Sequence, residues 1–275
     1  MKLGDIFAGR YKILHPIGKG GLWEVYLVED IVINRMYALK VLDPFLFDSD
    51  EIRKMLINIR DSRIFLCLLH SNIVNLFDVD IDISSNRFYI VMEYIEGENL
   101  NERLEHYKMN YGRNFSVEEV LEVARDVCPA IDYAHKKGVL HLNIKPSKII
   151  AIKSGGYKIR EFGFINIELN LHRMMSRNTI IGTPIYMSPE QILGKMIDER
   201  ADVYGLSTTF YFLLAGHPPF YSENYGELFK KKLEQKPEKI VGIPYNINSA
   251  ILWGLERDPD DRPKSAMELF NAMIK

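Results

Sequence analysis

The stretch Ile17-Gly18-Lys19-Gly20-Gly21, with the segments flanking it, decides the fold. Before it, Tyr11 to Ile17 alternates weakly between apolar and polar residues. After it, Trp23 to Val28 and Met36 to Leu42 are again β-rich. Glycines suit phosphate binding because backbone without a Cβ can approach closely and present its N–H groups. Taken alone, Gly18-Lys19-Gly20 is equally a plain hairpin turn. Its context separates the phosphate-binding classes. A dinucleotide-binding unit needs a helix after the glycines, and a nucleotide-triphosphatase loop needs Gly-Lys-Ser/Thr. Neither is present here. A second strand succeeds the glycines instead, and then Ala38-Leu39-Lys40 places a lysine on the third strand.

Outward from this core, a helical pattern is predicted over Glu51 to Leu69, and strands over Ile73 to Val79 and Phe88 to Glu93, with a turn at Ile83 to Asn86. Glu96-Gly97-Glu98-Asn99 reads as a short linker. Ser116-Val117-Glu118-Glu119 has the form of a capping box and opens a helix to about His135. A β-rich interlude spans Val139 to Phe164, and helices dominate thereafter, notably Ala201 to Ala215 and Ser265 to Met273. The 275 residues exceed the usual single-domain size, so one large domain or two lobes is expected. The net charge of −2 gives no reason to expect nucleic acid or an anionic membrane as partner. Cys67 and Cys128 fall in apolar stretches and are expected as buried free thiols of a reducing compartment. No apolar run approaches the roughly 18 residues of a membrane span, and no signal peptide is expected.

Further motifs occur in a fixed order. They are Gly9-Arg10-Tyr11, His70-Ser71-Asn72-Ile73-Val74, Met92 before Tyr94, His141-Leu142-Asn143-Ile144-Lys145-Pro146, Glu161-Phe162-Gly163, Ser188-Pro189-Glu190, Asp202-Val203-Tyr204 and Arg262-Pro263. With the glycine turn and Lys40 they resemble the Hanks-type serine/threonine protein kinases, in particular the bacterial ones, over nearly the whole chain. The resemblance implies an α+β, bilobal protein-kinase-like fold. Residues 1–93 would form a β-rich N-lobe, 94–97 a hinge and 98–275 a larger helical C-lobe. It also implies nucleotide-binding positions at Gly18, Gly20, Val25, Ala38, Lys40, Met92, Glu93, Ile95, Lys145, Lys148, Ile150 and Glu161. Thr183 matches the family as well. Asp61 stands where a glutamate would pair with Lys40. His141, Phe162 and Asp202 match the parts that stack and tether the large lobe, with Leu76 and Phe65 completing an apolar column. Arg262 is expected to pair with Glu190.

The departures from the family cluster at its chemistry. Asn143 stands where an aspartate accepts the substrate hydroxyl's proton, and an amide has no basic lone pair near neutral pH. Losing a general base costs on the order of 10² to 10⁴ in rate. Lys148 stands where an asparagine holds a metal ion, which an ammonium cannot ligate. It either points to solvent or supplies positive charge in the metal's place. Glu161 replaces the metal-binding aspartate and either ligates a metal or pairs with Lys148 or Lys40. Leu142 replaces the arginine that answers a phosphorylated activation loop, so phosphorylation of Ser176 or Thr179 could not act by that route. Trp23 takes the third glycine position, where it would occlude the phosphates or cap the loop.

No catalytic set is intact. The expectation is a pseudokinase acting as a signalling or scaffold module with a protein partner. It would bind ATP or another nucleotide weakly or without metal, at a site poorly suited to Mg²⁺. The alternatives are a weakly active serine/threonine kinase or other nucleotide chemistry on this fold, and a pure interaction domain with a closed cleft. The expected compartment is the cytoplasm, with the chain alone or as the cytosolic domain of a larger or membrane-anchored protein.

Overall fold

The computed structural model describes the backbone of residues 1–62, 67–174 and 182–275, and their side chains except at 47–48, 61–62 and 165–166. The chain divides into two compact units, residues 1–70 with 74–96 and residues 71–73 with 97–275. The first unit carries a six-stranded β-sheet and the second is mostly helical, an α+β arrangement.

In the first unit, strands β1 (Ile6–Phe7), β2 (Tyr11–Gly20), β3 (Trp23–Asp30), β4 (Arg35–Leu42), β5 (Leu76–Asp82) and β6 (Arg87–Glu93) build one sheet. Its order is β1-β2-β3-β4-β6-β5, with every pairing antiparallel. Alternation along the strands gives this sheet two faces. One face buries Tyr11, Ile13, Val28, Leu39, Tyr89 and Val91, with Phe7 edge-on to Tyr89 at 5.2 Å. On the other, register sets Val25 opposite Lys40 and Lys40 opposite Ile90, while Leu27, Ala38 and Met92 line up beside them. The β2–β3 hairpin closes with Gly20 opposite Trp23, and the left-handed conformation falls on Gly21, at φ 59°. Gly18 and Gly20 are exposed strand residues with ordinary backbone angles.

Helix α1 (Asp50–Ser62) begins where the apolar stripe predicted a helix. The stripe does not carry on to Leu69. Leu68 is buried between exposed Cys67 and Leu69, so burial alternates there instead of following a helical face. Cys67 is therefore not the buried thiol its apolar neighbours suggested, whereas Cys128 is buried. The strand expected from Ile73 starts at Leu76, and Ile73 instead bridges to Ile159 in the second unit's own fold.

The second unit opens on a small antiparallel sheet of β7 (Gly97–Asn99), β8 (Ile149–Ile152) and β9 (Tyr157–Ile159). The supposed linker is thus a strand. Its glycine has a steric reason, since a Cβ at Gly97 would lie 2.2 Å from the Ala151 carbonyl oxygen. Helix α2 (Leu100–Tyr111) starts at an Asn99–Glu102 capping box. The Ser116–Glu119 box read from the sequence opens α3 (Val117–Lys136), Ser116 Oγ accepting from the Glu119 N–H at 3.2 Å. Such a cap contributes about 1 kcal/mol.

A short 3₁₀ turn spans Pro146–Lys148, and Phe164 opens α4 (Phe164–Met174) instead of closing the β-rich interlude. Helices α5 (Pro189–Leu193), α6 (Glu199–Ala215), α7 (Tyr225–Glu234), α8 (Tyr245–Gly254) and α9 (Ala266–Ile274) complete the unit. Helix α6 is buried all round, as expected of a helix at the centre of a domain. A Cβ at Gly254 would lie 1.9 Å from Ser207 Oγ, so glycine permits α8 to lie close against α6. No described helix is long and apolar enough to cross a membrane.

Candidate functional site

Of the sequence-predicted residues of the first unit, Val25, Ala38, Lys40 and Met92 lie on one sheet face shared by β3, β4 and β6, Gly18 and Gly20 lie on β2, and Glu93 and Ile95 lie at and just past the end of β6. Lys40 is 3% exposed, and its ammonium sits 4.9 Å from the centre of the Trp23 ring. Trp23 is itself buried and packs at a tilt on Phe88, with ring centres 6.3 Å apart. The ring therefore belongs to the packed sheet face that carries Val25 and Lys40, and it stands against the Lys40 ammonium. Ala38 and Met92 are buried, cross-strand neighbours. Glu93 accepts from the backbone and side-chain amides of Asn75, at 3.2 and 3.1 Å, and Ile95 is half-buried just past β6. Leu76 lies opposite Met92. Asp61 is in α1, with its side chain outside the described residues, so its pairing with Lys40 is outside them too. Phe65, Ser176 and Thr179 also lie outside the described residues.

The second unit carries the loop from His141 to Lys148. Asp202 in α6 is 1% exposed and holds this loop by its backbone. Its carboxylate accepts from the His141 and Leu142 N–H groups at 2.8 and 2.6 Å, and from His135 Nε2 at 2.7 Å. Burial alone would raise its pKa. The His135 hydrogen bond and charge, with His141, outweigh burial and keep the carboxyl below its ordinary range. The contact fixes Leu142 in the left-handed region, at φ 59°, an unfavourable conformation for a branched side chain.

Burial keeps the His141 ring's pKa below its ordinary value. Its Nε2 faces the Arg160 carbonyl at 3.0 Å and so carries the proton. Its Nδ1 is then free to accept from the Asn143 N–H, at 3.3 Å. Phe162 lies 4.8 Å from the His141 ring.

Beside this frame stand the charged positions. The Lys148 ammonium and the Glu161 carboxylate are joined in an ion pair, with side chains 15% and 10% exposed. Glu161 adopts φ 72°, and the Arg160 N–H donates to the Lys148 carbonyl at 2.9 Å, so backbone as well as charge joins the two segments. Of the alternatives left open by the sequence, Lys148 is not a solvent-pointing lysine, and Glu161 takes Lys148 as partner. Lys145 donates to Thr183 Oγ1 at 2.6 Å, its pKa lowered by burial and then by the charge of Lys148. Ile150 is half-buried in β8, opposite Asn99 and Lys158.

Arg262 uses all of its N–H donors. Two meet the Glu190 carboxylate side by side at 2.7 and 2.8 Å, and three meet the carbonyls of Glu256, Arg200 and Arg257. The sequence reading missed His135 as the third partner of Asp202. It missed Gln191 as well, whose side chain donates to the Leu142 carbonyl at 3.0 Å. No periodicity or spacing marks either residue, because each partner lies far along the chain.

The sequence profile described as the protein kinase domain matches residues 11–274. Serine/threonine-protein kinase PrkC of Bacillus subtilis is 31% identical over 274 residues, covering 98% of this chain and 41% of its own length. Serine/threonine-protein kinase PknB of Mycobacterium leprae is 28% identical, covering 97% of this chain and 43% of its own. The chain thus spans about two fifths of these relatives. Among solved structures, the PknI kinase domain of Mycobacterium tuberculosis is 27% identical with a TM-score of 0.76, covering 99% of this chain and 97% of its own.

Proposed function

We propose, from the premise that this chain belongs to the protein kinase domain family, that it is a serine/threonine-kinase-like domain working as a pseudokinase. In this reading it is a signalling or scaffold module of the cytosolic side that engages a protein partner and holds a nucleotide weakly, without a divalent metal. The observation that carries the reading is the ion pair between Lys148 and Glu161. In the family, the asparagine and aspartate at these positions hold Mg²⁺ against the phosphates, and a catalytic-loop aspartate takes the hydroxyl proton. Here one metal-binding position is a cation, the other is neutralised by it, and Asn143 offers an amide in place of the base.

The residues present do not fit the two-metal arrangement. A Mg²⁺ entering at Glu161 would have to displace an ammonium that already compensates the carboxylate, and it would meet that ammonium's charge at close range. Among the described residues no group of three His, Cys, Asp or Glu side chains could hold a metal ion. The positive charge at Lys148, with Lys145 close to it, supports phosphate binding that needs no metal. The remaining nucleotide-binding residues of this proposal are Gly18, Gly20, Val25, Ala38, Lys40, Met92, Glu93 and Ile95 in the first unit and Ile150 in the second.

Thermal shift with ATP, in EDTA and in Mg²⁺ or Mn²⁺, tests the reading, since a ligand of the native state raises apparent stability. ATP should raise Tm in EDTA, Mg²⁺ should add nothing, and Lys148→Ala should remove the shift. Phosphoryl transfer from labelled ATP to a generic protein substrate, abolished by Lys40→Ala, would overturn it. A second reading, a slow serine/threonine kinase, draws support from the Lys145–Thr183 hydrogen bond and the names of the relatives. The same transfer assay separates the two.

A further inference from the structure

We propose that a cavity in the second unit, between α5, α7 and the segment 255–261, is a binding site for a small apolar carboxylic acid. In this site Lys232 anchors the carboxylate. The cavity measures about 740 Å³, within the range of small-molecule sites. Leu193, Met196, Pro237 and Leu255 supply its apolar walls, and Leu193 and Met196 are exposed at 50% and 94%. Around the rim Lys195, Lys236 and Arg257 are balanced by Glu256, Asp258 and Asp261, so the rim favours neither sign. Selection by charge falls to the one lining lysine that is buried.

Lys232 is 2% exposed. Its ammonium donates to the Met187 carbonyl at 2.6 Å and lies 5.0 Å from the centre of the Tyr204 ring. Among the described residues no carboxylate stands within ion-pair distance of it, and both oxygens of nearby Glu190 are engaged by Arg262. An ammonium has three N–H donors, and a single carbonyl uses one. Burial, and then the charge of Arg262, push the Lys232 pKa down to about 7. A lysine held this way costs the fold stability that a methionine of similar length would not. A buried cation that lines a cavity with no carboxylate in ion-pair reach is a candidate for a functional site. A carboxylate entering from the apolar cavity supplies the missing countercharge and fills the unused donors.

Titration of the 275-residue protein with 1-naphthoate and with its neutral analogue 1-naphthalenemethanol, followed by amide NMR and calorimetry, tests the site. Naphthoate should bind at least tenfold tighter than the alcohol, with shifts centred on α5 and α7. Lys232→Met should bring the two within twofold. Should that variant not fold, Lys195→Glu places a like charge at the rim without altering an apolar wall, and should weaken naphthoate at least fivefold while leaving the alcohol within twofold. Equal binding of acid and alcohol to the unaltered protein would overturn the proposal. So would an undiminished preference in either variant, or binding confined to an acidic peptide.

Discussion

Two ion pairs of the second unit, Arg262–Glu190 and Lys148–Glu161, join charges of the same two types but differ in how their surroundings complete them. Arg262 is fully buried, meets its carboxylate through two parallel hydrogen bonds, and spends its other donors on three carbonyls. It is a closed network, and neither partner has capacity left for a ligand. Lys148 and Glu161 keep 15% and 10% of their side-chain surface, and they stand where the family places metal-binding groups. The first pair preserves a frame. On the proposed reading the second neutralises a site, and the frame beside it keeps its hydrogen bonds. Asp202 belongs with the first pair, since its carboxylate gathers two backbone amides and a histidine.

The comparison breaks if the closed network proves dispensable. Arg262→Ala would leave the Glu190 carboxylate buried and unpaired, and should cost about 3–5 kcal/mol in urea denaturation, the largest loss expected here. Asp202→Asn comes next, at about 2–4 kcal/mol, because an amide cannot accept from both backbone N–H groups and His135 at once. The pH dependence has a definite sign. The folded pKa of Asp202 lies below its unfolded value, so its contribution is complete above about pH 3.9 and is lost as pH falls through the folded value. His141 is held neutral when folded, so stability also declines as pH falls below about 6.5. Both act in the acid direction. Asp202→Asn should flatten the lower step of a stability–pH profile and leave the upper one in place.

The sequence made the frame legible because each of its pieces is a residue type with few substitutes. A buried aspartate opening a helix, an arginine far downstream and a Ser-x-x-Glu box announce themselves as letters. Geometry that depends on neighbours was not legible. The segment Glu96 to Asn99 looks like a polar linker, and only pairing with Ile152 makes Gly97 onward a strand. Trp23 replaces a glycine, and the substitution alone could not say that the ring turns inward onto Phe88 and under Lys40. Cys67 looked buried by the company of Leu66 and Leu68, but burial alternates there. For the site, the sequence supplied the identities of Asn143, Lys148 and Glu161 but left the partner of Glu161 open. That choice rested on the path of the chain between β8 and β9, which no local pattern encodes.

The second half of the comparison is sharpened by removing one charge from the less enclosed pair, Lys148–Glu161. Glu161→Gln leaves Lys148 facing a neutral amide in a mostly buried place, and should cost about 1–3 kcal/mol, less than either change in the closed network. A double-mutant cycle with Lys148→Met measures the coupling directly, with an interaction energy of about 0.5–3 kcal/mol expected for residues in contact. A coupling near zero would mean that the pair does not hold the two segments together, and the neutralised-site reading would lose its main support.

The smallest effect should come from Asn143→Asp, which returns the family's acid to the loop. Asn143 is half-buried, and the hydrogen bond tying it to His141 comes from its backbone N–H, which the substitution keeps. Aspartate is isosteric with asparagine, and Lys148 and Lys145 supply nearby positive charge, so stability should change by no more than about 0.5 kcal/mol. On the pseudokinase proposal the variant should show no transfer activity, because the base is restored while Lys148 still stands at the position where the family holds a metal. Activity should appear only when Lys148→Asn and Glu161→Asp are added to it. A single Asn143→Asp variant that phosphorylates substrate would show the ion pair to be no barrier, and would move the defect from the metal positions to the base alone.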